Sequence, residues 1–148
     1  MATVRATLSL NSADVLTSAL ALSTVANLTC DSGALIRAKV KGTTHDTNSL
    51  RIYAADQCSE RAYVYVKNLD SELEQYVYVY NSSTVVDATG NNPETAFVAK
   101  IGGGEFAFIP VAVDKAFAVY ATKVDTMVEY GVFGNDNSTV PFTGAGID

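Results

Sequence analysis

The single histidine of the chain, His45, stands beside Asp46 in a polar stretch with Thr43 and Thr44 before it. A carboxylate next to an imidazole is half of a nucleophilic catalyst. The carboxylate orients the ring, and the ring takes the proton of a serine or cysteine. The other half is missing, because the neighbouring hydroxyls are generic loop residues and the thiols, Cys30 and Cys58, lie elsewhere. His45 therefore reads as a solvated loop side chain. The two cysteines form no CxxC pair, and one histidine cannot complete a zinc set with them. The expectation is two buried or half-buried thiols in a chain made in a reducing cytosol.

The remaining chemical candidates reduce to turns in the same way. Asp70, Glu72 and Glu74 alternate in one short connection, where calcium would need the DxDxDG arrangement that is absent. Gly102, Gly103 and Gly104 lack the following Gly-Lys-Ser/Thr of a phosphate loop and read as a tight turn. The Asn-x-Ser/Thr matches at Asn27, Asn81 and Asn137 carry no glycosylation meaning without a secretory signal, and the opening residues contain none. Acidic residues are scattered singly, with no recognisable catalytic pair. No enzyme activity, metal or cofactor is expected.

Composition narrows the class further. Of 148 residues, 48% are hydrophobic and 18% charged, the latter below the roughly 25% of ordinary soluble domains, which argues against disorder. The net charge is −6, and no Lys/Arg cluster offers a phosphate footprint, so nucleic acid is not an expected partner. Beyond Lys123 every charged residue is acidic. No run of 18 apolar residues is present, and no membrane span is expected.

The elements that must position any contact surface show period-two alternation. Ala62, Val64 and Val66 alternate with Tyr63, Tyr65 and Lys67, and Val77 and Val79 alternate with Tyr76, Tyr78 and Tyr80. With a polar connection at 68–72 between them, these two segments read as neighbouring antiparallel strands. Further strands are expected at 3–10, 35–40, 50–54, 97–101, 105–109, 116–122 and 126–133. Pro110 would mark an edge, a bulge or a strand end. Residues 14–28 suit helix or strand, and Thr17, Thr24, Val25 and Thr29 favour strand. At most one short helical turn is expected, near 71–75. The sum is an all-β, jelly-roll-like antiparallel β-sandwich of about eight or nine strands. It spans 1–134 as one domain, with a C-terminal tail at 135–148. Residues 81–94 read as a surface excursion.

Tyr63, Tyr65, Tyr76, Tyr78 and Tyr80 would make an aromatic sheet face. That face could serve as a second core layer, as the core of an interface, or as a stacking platform for sugars. The tail keeps Val140, Phe142 and Ile147 in a loop-like composition, which marks it as a segment for docking on this domain or on a neighbouring subunit.

Three segments in order, 63–68 (YVYVKN), 104–111 (GEFAFIPV) and 128–133 (VEYGVF), with an opening at 5–10 (RATLSL), carry a family resemblance. Together they resemble small virion structural proteins of tailed bacteriophages, of the cyanophage and marine-phage type. The resemblance implies a jelly-roll-like domain on the particle, either a capsid decoration (cement) protein bound to the major capsid protein at capsomer joints or a tail or tail-fibre component. It brings no catalytic residues. It makes a symmetric homotrimer the expected assembly, located in the virion and made in the host bacterial cytoplasm. A carbohydrate-binding module for a host surface glycan is the alternative from another class.

Overall fold

The structure is a computed structural model that describes residues 2–15, 17–30, 32–40, 49–82, 97–136 and 146–147. Among these residues there is no helix; eleven strands carry the fold. They are β1 (Ala2–Ser12), β2 (Leu20–Cys30), β3 (Ser32–Val40), β4 (Leu50–Tyr53), β5 (Cys58–Asn68), β6 (Val77–Asn81), β7 (Phe97–Ile101), β8 (Phe106–Val111), β9 (Phe117–Ala121), β10 (Thr126–Asp136) and β11 (Gly146–Ile147).

Two sheets form the body. One has the order β3-β10-β5-β8 and the other β11-β4-β9-β6-β7; β1 and β2 make a separate two-stranded sheet. Every pairing is antiparallel. The first sheet lays β10 between β3 and β5 and ends on β8; the second lays β9 between β4 and β6 and ends on β7. After the hairpin, each successive strand changes sheet except at β6 to β7.

Alternation explains the core. Val64 and Val66 of β5, Val77 and Val79 of β6, Val119 of β9 and Val128, Tyr130 and Val132 of β10 point inward into one cluster with Ile52, Tyr53 and Phe117. β-Branched side chains pack well on the pleated surface, and all of these are 6% exposed or less.

Several expectations change here. The described residues carry eleven strands: β1 and β2 pair with each other as a separate hairpin, and β11 adds two residues of the tail. β5 and β6 are not neighbours: β5 pairs with β10 and β8, and β6 with β7 and β9, in opposite sheets. Their connection is no simple hairpin loop but a crossover between sheets, a distinction that polar turn composition does not encode. Residues 71–75 make a turn closed by Gln75 N donating to Glu72 O at 3.0 Å, not a helical one. Pro110 lies in edge strand β8 opposite Tyr63, where a missing donor costs no central ladder bond. Residues 20–30 are strand, as the hydroxyl and β-branched content implies.

The crossover between β5 and β6 is held by one buried amide. Asn68, fully buried at the end of β5, donates through Nδ2 to Gln75 O at 2.7 Å and to Ile101 O at 3.1 Å. Its Oδ1 accepts from Asp70 N at 3.0 Å. The backbone of the same residue donates to Glu105 O and accepts from Gly104 N. One residue thus ties together β5, the start of β6, the end of β7 and the turn into β8.

Candidate functional site

The outer face of the β3-β10-β5-β8 sheet is set by register. Leu35, Gly131, Tyr65 and Phe108 stand in one row across the four strands, and Arg37, Glu129, Lys67 and Phe106 in the next. Tyr63 stacks on Phe108 with ring centres 5.9 Å apart and planes 10° from parallel, and Tyr65 meets Phe106 at 6.4 Å. Such pairs add about 0.5–1.5 kcal/mol beyond the area they bury. The ring of Phe133 lies across the backbone of Gly131, where an added Cβ would come within 2.8 Å of it. This glycine lets the ring lie flat on the sheet.

A charged pair crosses the aromatic face. Arg37 Nε donates to Glu129 Oε2 at 3.0 Å, and the Tyr65 hydroxyl donates to Glu129 Oε1 at 3.2 Å. The Arg37 bond and then the Tyr65 bond hold the Glu129 carboxyl below the usual carboxylate range, while partial burial opposes them. Burial and the Glu129 contact push the Tyr65 phenol up.

Facing this surface is the β1–β2 hairpin. Its register places Val4, Ala6, Leu8 and Leu10 opposite Leu28, Ala26, Thr24 and Leu22, so one side of the hairpin is apolar and the other carries Thr3, Arg5, Ser9, Asn11, Ser23 and Asn27. Between the apolar side and the sheet lies an open cleft of about 790 Å³. Val4, Ala6, Leu8 and Ala26 line it from the hairpin, and Leu35, Phe106 and Phe108 from the sheet. The surfaces are not closed against each other: Leu8 is 42% exposed, Leu22 43%, Leu35 61% and Phe106 63%.

The five tyrosines expected on one aromatic face are divided between two. Tyr63 and Tyr65 belong to the face just described. Tyr76, Tyr78 and Tyr80 lie on the outside of the other sheet, where Tyr78, Tyr80, Ala118 and Tyr120 form a second buried cluster with Tyr76 at its margin. Tyr78 packs against Phe97 at 5.3 Å and Tyr120 at 6.2 Å, and Lys100 Nζ sits 4.0 Å from the centre of the Tyr76 ring. Tyr78 and Tyr80 are only 7% and 2% exposed, so neither of these two offers an open ring face for a sugar.

The other candidates fall as follows. Cys30 and Cys58 are buried thiols. Asp70 accepts from Glu72 N and from Lys123 Nζ at 3.2 Å, and the Glu72 N–H bond, then Lys123, lowers its pKa. Among the described residues no three His, Cys, Asp or Glu side chains gather as a metal set. Gly146 and Ile147 pair with Arg51 and Leu50 as β11, so the backbone at the end of the tail meets the body. His45, Asp46, Val140 and Phe142, and nearly all of 81–94, lie outside the described residues.

Sequence reasoning missed the hairpin as a unit and Phe106 and Phe108 as surface residues. The alternation of Val4, Ala6, Leu8 and Leu10, mirrored at Leu20, Leu22, Ala26 and Leu28, was the available signal for the hairpin. No family model, no curated protein and no solved structure matches this chain.

Proposed function

We propose that the chain is a structural contact protein of a tailed-phage virion, a jelly-roll-like decoration (cement) protein that binds the major capsid protein at capsomer joints. The observation that carries this reading is the amphipathic β1–β2 hairpin held open over an aromatic sheet face. Contiguous exposed apolar surface rimmed by polar groups marks a protein–protein contact. Aromatic residues with Arg at such a surface are the usual composition of interface cores. The nested order of the eight strands from β3 to β10 supports the jelly-roll part, and the three sequence segments that resemble phage proteins support the virion part.

The contribution of such a protein is area. One copy adds a modest interface, and many copies repeated over a symmetric shell add up to resistance against the pressure of packaged DNA. Quantitative mass spectrometry of purified particles tests this. Copy number comparable to that of the capsid subunit is the expected result; a low, tail-like number moves the protein to the tail, and absence from particles refutes the virion reading altogether.

A further inference from the structure

We infer that the aromatic face formed by Leu35, Tyr65, Phe106 and Phe108 is the seat for the β1–β2 hairpin of a second copy of this chain. This rests on the contact reading above and names one of its partners.

The two halves of the contact are present on one chain and fit chemically. The hairpin offers an apolar side, and Arg5 is the one charged residue in its two strands. The sheet offers exposed aliphatic and aromatic rings, with Glu129 lining the same cleft as Arg5. Within one chain the fit is incomplete, since the open cleft leaves Leu8, Leu35 and Phe106 in water. An isolated two-stranded hairpin is marginal in water and needs further packing to be stable. Leu10 and Leu22, nearer the tip than the residues that line the cleft, are each 43% exposed. A neighbouring body would supply what the chain's own body leaves uncovered.

Size and connection both suit an exchange. Two eleven-residue strands present a face about 36 Å long and about 10 Å wide. Exchanged reciprocally and counted on both sides, two such contacts bury about 1,400 Å², within the roughly 1,200–2,000 Å² of stable interfaces. A single residue separates Cys30, the end of β2, from Ser32, the start of β3. Short connections of this kind favour donating an element to a neighbour over folding it back on its own chain.

The experiment uses the full chain. Ala26→Cys and Leu35→Cys variants carrying different tags are co-expressed and treated with a short bismaleimide, with the wild type, whose own thiols are buried, as control. In parallel, the wild type and the Leu8→Asn/Leu22→Asn variant are sized by light scattering after circular dichroism confirms strand content. Exchange predicts a covalent species carrying both tags, and an oligomer that the double variant reduces to monomer. A monomeric wild type, the absence of any covalent species carrying both tags, or an oligomer unchanged by the double variant overturns it. A monomer that still sediments with phage heads would remove the exchange and leave the virion reading in place. An exchanged oligomer missing from particles would do the reverse.

Discussion

Replacing Asn68 by alanine removes the amide that joins the sheets at one end, and the loss can be sized from its three bonds. The carbonyl of Ile101 lies at a buried contact, and a buried polar group left without its partner costs about 1–3 kcal/mol. The bonds to Gln75 O and from Asp70 N lie at half-buried residues that water can reach, so each is worth about 0.5–1 kcal/mol. The expected loss is about 2–5 kcal/mol, a large part of the roughly 5–15 kcal/mol that holds a domain folded. Urea unfolding followed by circular dichroism reads it as a lower midpoint at unchanged slope. Asn68→Asp sharpens the test. It keeps the acceptor for Asp70 N, loses both donors and sets a carboxylate against two carbonyl oxygens. Its folded-state pKa is therefore raised, and the variant should gain stability as pH falls, when the protonated acid can donate once. A loss below about 1 kcal/mol for Asn68→Ala, or an Asp variant indifferent to pH, would refute the view that this amide holds the crossover.

Other expectations follow from the same contacts. Tyr53 donates to Val113 O at 3.0 Å and accepts from Cys58 N at 3.2 Å, and burial pushes its phenol up to about 12. Its contribution is full below the unfolded value near 10 and is lost as pH rises toward about 12, so the stability gap between wild type and Tyr53→Phe should narrow over that window. Glu129 behaves oppositely: its lowered pKa stabilises the fold above the ordinary glutamate value, and the advantage over Glu129→Gln should fade as denaturation is measured at pH below about 4.3. A Cβ on Gly103 would run into the Glu72 carbonyl and come within 2.8 Å of Asp70 O, whereas Gly104, at φ +81°, has open space. Gly103→Ala should therefore lower the unfolding midpoint far more than Gly104→Ala, which meets only the left-handed strain of about 1–2 kcal/mol. On the decoration reading proposed above, Phe106→Asp with Phe108→Asp should leave strand content intact and abolish binding to phage heads in a sedimentation assay.

Much of the fold was legible because both faces of each body strand follow period two. Val64 and Val66 declare an inward side wherever β5 pairs, and Pro110 leaves an edge, a bulge or a strand end open, of which the structure takes the edge. Pairing itself was not legible: β5 and β6 carry matching alternation, yet that alternation is equally satisfied in opposite sheets. Whether a polar connection closes a hairpin or crosses the core depends on long-range partners, here the carbonyls of Gln75 and Ile101. The site was half visible for a related reason. Tyr63 and Tyr76 look alike in sequence, and only the sheet each belongs to decides whether its neighbours lie in a half-open cleft or in a closed aromatic layer. Phe106 and Phe108 lie on one face of an expected strand, but only the register across the four-stranded sheet shows that this face is the outer one.

The position of β10 has a consequence for biosynthesis. It is the last strand of its own sheet to be made and lies between β3 and β5, so that sheet stays split until about residue 136 has emerged. At about 5–20 residues per second, the interval after β3 is complete lasts roughly 5–20 s. The hairpin, by contrast, has only local pairings and forms first. Throughout that interval its leucines wait beside unfinished sheets. On the exchange inferred above, nascent chains on one message would meet while their bodies are incomplete, and encounter between copies would supply the packing that the hairpin needs.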